Sequence, residues 1–157
     1  MKRALVYCWL LLAGCGYRFT APGANLPAGA GPVRVPVFEN QTTEPNIEVL
    51  VTQALRERYA RAGLLGGDGA ETTLEGAVLM VSSGPVFSGA LFPTYQVAAS
   101  VRVRLVRGNQ VLGQAIVSTT EDFTSGGDVL LTEGNRGAAL RRLADVVAQE
   151  VVERLEK

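Results

Sequence analysis

Tyr95-Gln96-Val97-Ala98-Ala99-Ser100-Val101-Arg102-Val103-Arg104-Leu105-Val106-Arg107 alternates with a period of two. Tyr95, Val97, Ala99, Val101, Val103 and Leu105 share one face, and Gln96, Ser100, Arg102 and Arg104 share the other. Successive side chains of a strand point to opposite faces, so this pattern predicts one packed face and one wet face, the habit of an antiparallel sheet. Arg107-Gly108-Asn109-Gln110 follows as a hairpin turn, because Gly and Asn accept the positive φ that tight hairpins need. Val111 to about Glu121 is then the returning strand.

Upstream, Thr72–Val81 reads as a further strand, apolar enough for a central position or for cover on both faces. Ser82–Thr94 reads as a loop that carries Phe87, Leu91 and Phe92. Large apolar side chains in a loop either tuck under the domain or present a surface, so these three are candidates for partner contact. Val33–Phe38 alternates as a first strand, and Pro36, which cannot donate to a ladder, predicts an edge or a bulge there. Thr42-Thr43-Glu44-Pro45 reads as a helix start: hydroxyl caps, an acid near the positive end of the dipole, and proline in the first turn. Ile47, Leu50, Val51, Ala54 and Leu55 then recur at helical spacing until Gly63 supplies a stop. Burying these five side chains stabilises by on the order of 8 kcal/mol before entropy, enough to tie the helix to a sheet.

Gly63–Glu71 is a glycine-rich connector, and Glu121–Asn135 reads as a polar connection. A closing helix carries Leu140, Leu143, Ala144, Val147, Val151 and Leu155 as its apolar stripe. The order β-α-β-β-β-α predicts an α+β fold, a two-layer sandwich with two helices packed on one face of a four-stranded mixed sheet. The other sheet face is left to a partner or to water.

Lys2 and Arg3 precede the apolar run Ala4–Leu12, which ends in Leu12-Ala13-Gly14-Cys15-Gly16. A basic start, a short apolar run and small residues are the parts of a secretory signal, and the run is too short to span hydrocarbon. Leu-Ala-Gly-Cys resembles the lipobox of bacterial lipoproteins. That resemblance implies cleavage after residue 14 and acylation of Cys15, whose sulfur takes a diacylglycerol and whose amine takes a third chain. Gly16 rather than Asp follows the cysteine, which implies sorting to the outer membrane. Residues 1–14 are thus expected to be a signal peptide, 15–32 a lipidated N-terminus and flexible tether, and 33–157 a single domain. Thr20–Pro32, rich in Ala, Gly and Pro, suits such a tether.

The chain carries 15 basic and 15 acidic residues, so it has no surplus to neutralise a nucleic-acid backbone. It has no histidine, the commonest general base and metal ligand, and its two cysteines fall in or beside the leader. No catalytic motif or metal-ligand spacing is found, and Gly66-Gly67-Asp68-Gly69 offers a single carboxylate to a cation. An enzyme is not expected, nor any cofactor beyond the N-acyl and S-diacylglycerol groups on Cys15.

Several residues together resemble one family along essentially the whole chain. They are Cys15-Gly16-Tyr17 with Phe19, Leu26-Pro27, Val37-Phe38-Glu39-Asn40 with Thr42-Thr43-Glu44-Pro45, Val86-Phe87, and Tyr95-Gln96 opening the alternating strand. The chain is similar in these to the LPS-assembly lipoprotein family LptE. The resemblance implies a plug domain inside the lumen of the large outer-membrane β-barrel LptD, which it helps to assemble, and contact with lipopolysaccharide in transit. It also implies a periplasm-facing position within that lumen. Members carry basic residues in the loop before Tyr-Gln and ahead of the last helix. Here Ser88–Thr94 carries no charge and Leu131–Asn135 only Glu133, so the glycolipid contact falls to Arg102, Arg104 and Arg136. The alternative is a scaffold or binding lipoprotein of another envelope assembly, facing the periplasm.

Overall fold

The structure, a computed structural model, describes residues 30–87 and 93–155. The expected leader, Cys15, Leu91 and Phe92 lie outside the described residues. Three long strands form the frame: β3 (Thr72–Phe87), β4 (Thr94–Arg107) and β5 (Gln110–Thr124). They are joined as an antiparallel meander, with Leu74 opposite Leu105 and Val101 opposite Val117. The turn between β4 and β5 is Gly108-Asn109, with a positive φ of 56° at Gly108 alone, where a type II′ hairpin wants its glycine. At about 3.3 Å per residue these strands are roughly 45–50 Å long.

The first strand is shorter than its alternation predicts. Only Val33–Arg34 (β1) and Glu39–Asn40 (β2) pair, both parallel to β3, so the mixed sheet has five pieces in four lanes. The interruption spans Pro36, which removes a donor. The backbone groups it frees are taken up by the first helix, α1 (Ile47–Arg61): Thr52 Oγ1 accepts from the Phe38 N–H at 3.0 Å, and Arg56 Nε donates to the Val35 carbonyl at 2.8 Å. Val35 and Phe38 stay buried, so the chain keeps its apolar side inward without a ladder.

α1 begins later than Thr42-Thr43-Glu44-Pro45 suggests. Those residues make a polar turn, and the cap is Asn46, at φ 63° with no side-chain cap bond. Asn40 organises the turn: its Oδ1 accepts from the Thr42 N–H and hydroxyl, and its Nδ2 donates to the Glu44 carbonyl and to Glu48. The far end matches expectation. Gly63, at φ 70°, donates to the Ala60 carbonyl and Leu64 to the Tyr59 carbonyl, the paired bonds of a Schellman stop. The buried face comprises Ile47, Val51, Ala54 and Leu55 as expected, with Thr52 and Tyr59 added, whereas Leu50 of the expected stripe is only partly buried against the core.

Two expected connections are largely regular structure. β3 continues through Ser82–Phe87, so Phe87 ends a strand opposite Thr94 and does not sit in a loop. The last helix, α2 (Val129–Leu155), starts within the expected polar connection, capped by Asp128, whose Oδ1 accepts from Leu131 N at 2.8 Å. Gly134 and Gly137 hid this start, since glycine is the weakest ordinary helix former. The predicted stripe from Leu140 to Leu155 is buried throughout, with Ala139 and Ala148 beside it. α2 packs on β5, β4 and α1, and the core lies between the helical layer and the inward face of the sheet.

Candidate functional site: an uncovered sheet face

Both helices lie on one face of the sheet, which leaves the other face of β3, β4 and β5 without a covering layer among the described residues. Its side chains follow from register. Glu75, Arg104 and Gln114 form one row, Ala77, Arg102 and Ile116 the next, then Met80, Ser100 and Ser118, and then Gly84, Gln96 and Asp122 further along. Ser118 Oγ donates to Ser100 Oγ at 3.1 Å, and Gln96 Nε2 to Asp122 Oδ1 at 2.9 Å. Met80 and Ile116 are about half exposed between them. The face is mixed in polarity, with charged, amide, hydroxyl and apolar side chains side by side.

Arg102 and Arg104 stand two residues apart on β4 and therefore project from this face together. Both are exposed. With Glu39, Glu75, Gly76 and Ala77 they line a crevice of about 250 Å³, floored by buried Ala77. Glu75 sits directly across the ladder from Arg104. Among the described residues neither arginine has a carboxylate within ion-pair distance, so both guanidinium groups remain available to an anionic partner.

Arg136 is elsewhere. It lies on α2, on the helical side of the sheet, and its guanidinium grips both oxygens of Glu44 from the Asn40–Glu48 turn, with Glu133 at 3.8 Å. The side chains are 24% and 16% exposed, so the pair is largely withdrawn from water. The hydrogen bonds that Arg136 donates to Glu44 raise its pKa above the ordinary value, against a smaller opposing effect of burial. Sequence proximity to the last helix suggested a surface cation. The structure instead uses Arg136 as the clasp between α2 and the turn before α1, which gives Glu44 of the Asn-x-Thr-x-Glu-Pro motif a structural task.

At the far end of the sheet, β3 ends at Phe87, Ser125 N donates to the Pro93 carbonyl at 3.0 Å, and α2 begins. Val86, Val129, Leu130 and Leu131 are 56%, 77%, 84% and 57% exposed there. These α2 residues are large apolar groups that a polar connection did not predict, and their signal was the run Val129-Leu130-Leu131 itself. A cleft of about 310 Å³ nearby is lined by Asp122, Asn135 and Arg142 among others. Its polar groups are already satisfied: Arg142 bonds Glu121 and the Asp122 carbonyl, and Asn135 bonds the Thr124 carbonyl. Among the described residues no cluster of His, Cys, Asp and Glu could hold a metal, and no helix is long and apolar enough to cross a membrane.

Two helices on one side of a long three-stranded meander, with short parallel strands at its edge, recur in solved bacterial proteins. A protein assigned as a lipoprotein from Caulobacter crescentus has a TM-score of 0.60 at 12% identity, covering 83% of this chain and 92% of its own. The minor lipoprotein of Acinetobacter baumannii has a TM-score of 0.51 at 12% identity, covering 81% and 91%. Rare lipoprotein B of Shewanella oneidensis has a TM-score of 0.50 at 12% identity, covering 76% and 91%. The domain thus has the fold that these lipoproteins carry. A comparison with curated proteins by sequence found no match. The LptE family, described as lipopolysaccharide-assembly, matches residues 30–155, and the chain belongs to that family.

Proposed function

We propose that the protein is an outer-membrane lipoprotein, moored by lipid on Cys15, whose domain plugs the lumen of an LptD-type β-barrel and assists its assembly. Lipopolysaccharide in transit would meet Arg102 and Arg104. The observation that carries this reading is the uncovered sheet face. It is too polar to be a missing core, and it bears two exposed guanidinium groups that form no ion pair among the described residues. A barrel lumen is polar, and a plug matched to it needs such a mixed surface. Arginine suits phosphate and carboxylate groups through its planar fork of donors. No step of this function needs bond chemistry, so the reading is that of a binding and assembly protein.

Anchoring follows from the acyl chains. One chain holds a protein only marginally, whereas two or three give stable attachment at about 0.8 kcal/mol per buried CH₂. The test is extraction of the tagged, full-length protein in mild detergent. A β-barrel partner is expected to co-purify, and depletion is expected to leave that barrel misassembled and cells permeable to hydrophobic antibiotics. Recovery as a free lipidated monomer, with the barrel intact in its absence, would overturn the reading. Capture of a periplasmic scaffold without any barrel would favour the role in another envelope assembly.

A further inference from the structure

β3 changes character at Val78. From Thr72 to Val78 it is flanked by β4 on one side and by β1 and β2 on the other. That second lane closes where the Gln41 N–H donates to the Val78 carbonyl at 3.0 Å. Beyond it, Leu79–Phe87 pairs with β4 alone among the described residues. Backbone direction alternates along a strand, and the bulge between Val78 and Met80 shifts the alternation by one residue. Val81, Ser83 and Pro85 therefore share the outward direction of the Val78 carbonyl. Pro85 agrees with this, since a proline is tolerated in a ladder where its nitrogen points off the edge. Val81 and Ser83 direct N–H and C=O groups into a lane that no described residue fills.

Open edges are normally protected by charge or by a covering element. The opposite edge of this sheet has such cover: Arg154 from α2 donates to the Ile116 carbonyl of β5, and Leu155 lies close over Gly113. Among the described residues the β3 edge has only Pro85. No charged residue occurs anywhere from Gly76 to Val101, and Met80, Ser82, Ser83 and Val86 are exposed. Among the described residues, α2 thus reaches the β5 edge at Gly113 and Ile116, whereas no element reaches the β3 edge beyond Val78.

We infer that Leu79–Gly84 is a strand-addition site, in which an extended, uncharged segment of the barrel partner occupies the lane that β1 and β2 leave at Asn40. The segment hydrogen-bonds to Val81 and Ser83. The partner's identity rests on the function proposed above; the site itself rests on the edge. A charged segment would find no counter-charge along this edge, whereas one of apolar and hydroxyl residues meets its like. A second copy of the chain is a poor occupant. Pairing two such edges, each about 20 Å long, buries roughly a quarter of the 800 Å² per partner that a standard interface needs.

Hydrogen exchange on the full-length lipidated protein decides the matter, comparing the assembly extracted from membranes with the protein purified alone in the same detergent. The Val81 and Ser83 amides are expected to exchange at least about tenfold more slowly in the assembly. Equal exchange in both samples overturns the inference, even if a barrel is present. Slow exchange in the lone protein together with a doubled mass assigns the edge to a second copy and overturns it as well. Slow exchange in an assembly that lacks a barrel upholds the edge as a site while overturning the proposed function. As a second arm, Val81→Pro with Ser83→Pro removes both outward donors and leaves the ladder to β4 intact. It is expected to reduce recovered partner about tenfold, and undiminished recovery from a folded variant overturns the inference.

Discussion

Gly76 has no room for a side chain. A Cβ placed there would overlap three carbons of the Phe38 ring, which lies over the strand at 3% exposure. The ring has little freedom to give way, because the Phe38 N–H is fixed to Thr52 Oγ1 at 3.0 Å and nearby Val35 is itself buried. Forcing a methyl into such a packed site costs about 1–3 kcal/mol. Removing glycine from a strand returns about 0.5–1 kcal/mol of backbone entropy. Gly76→Ala should therefore destabilise by about 1–2 kcal/mol, or roughly 3–10 °C in melting temperature for a domain of this size. The assay is urea and thermal unfolding followed by circular dichroism. Phe38→Leu is the companion: it leaves a void when made alone, but combined with Gly76→Ala it vacates the space the methyl needs. The double variant should then be at least about 1 kcal/mol more stable than the sum of the single changes allows. Wild-type stability for Gly76→Ala, or simple additivity in the cycle, would refute this account of why glycine and phenylalanine occupy these positions.

Glu44→Gln should lower stability by about 1–2 kcal/mol, because it leaves the largely buried Arg136 guanidinium without its counter-charge, and a cycle with Arg136→Met measured by urea unfolding should reveal the coupling. Arg102→Gln with Arg104→Gln should cut photo-crosslinking of lipopolysaccharide to the wet face while shifting unfolding by less than about 0.5 kcal/mol, since both side chains are exposed and the change adds no like charge opposite Glu75. Undiminished crosslinking would move the glycolipid contact elsewhere. Intact-mass measurement of the membrane-extracted protein should find a chain that begins at Cys15 with its acyl groups, and an unmodified sulfur in a working protein would remove the anchor from the proposal.

The parts of the fold that were readable are those in which a single period decides burial. β4 and the second half of α2 show this plainly: every residue named for their packed stripes is buried or packed against the core, from Val97 to Leu105 and from Leu140 to Leu155. Boundaries were legible only where one residue type carries the stop, as Gly63 does through its positive φ. Elsewhere a local propensity competed with a distant partner. Thr42 and Glu44 have the chemistry of a helix start, yet Asn40 recruits the threonine and Arg136, far along the chain, recruits the glutamate, so the helix begins at Ile47. Ser82, Gly84 and Pro85 look like a loop because each is a weak strand former, and β4 overrides them by supplying a continuous ladder on one side.

The same competition explains how the candidate site could be half seen. Arg102 and Arg104 fell on the wet face by counting, because a two-residue period needs no knowledge of the rest of the chain. Their setting beside Glu39 and Glu75 depends on parallel and antiparallel registers that only the assembled sheet fixes. Arg136 failed for the converse reason: on a helix that the sequence disguised with two glycines, its outward or inward fate was set by a carboxylate ninety-two residues away. A cation's availability is thus a property of its partners. Of the three candidate arginines, the two that stay open to an anion are those on the strand face, where no helix arrives to claim them.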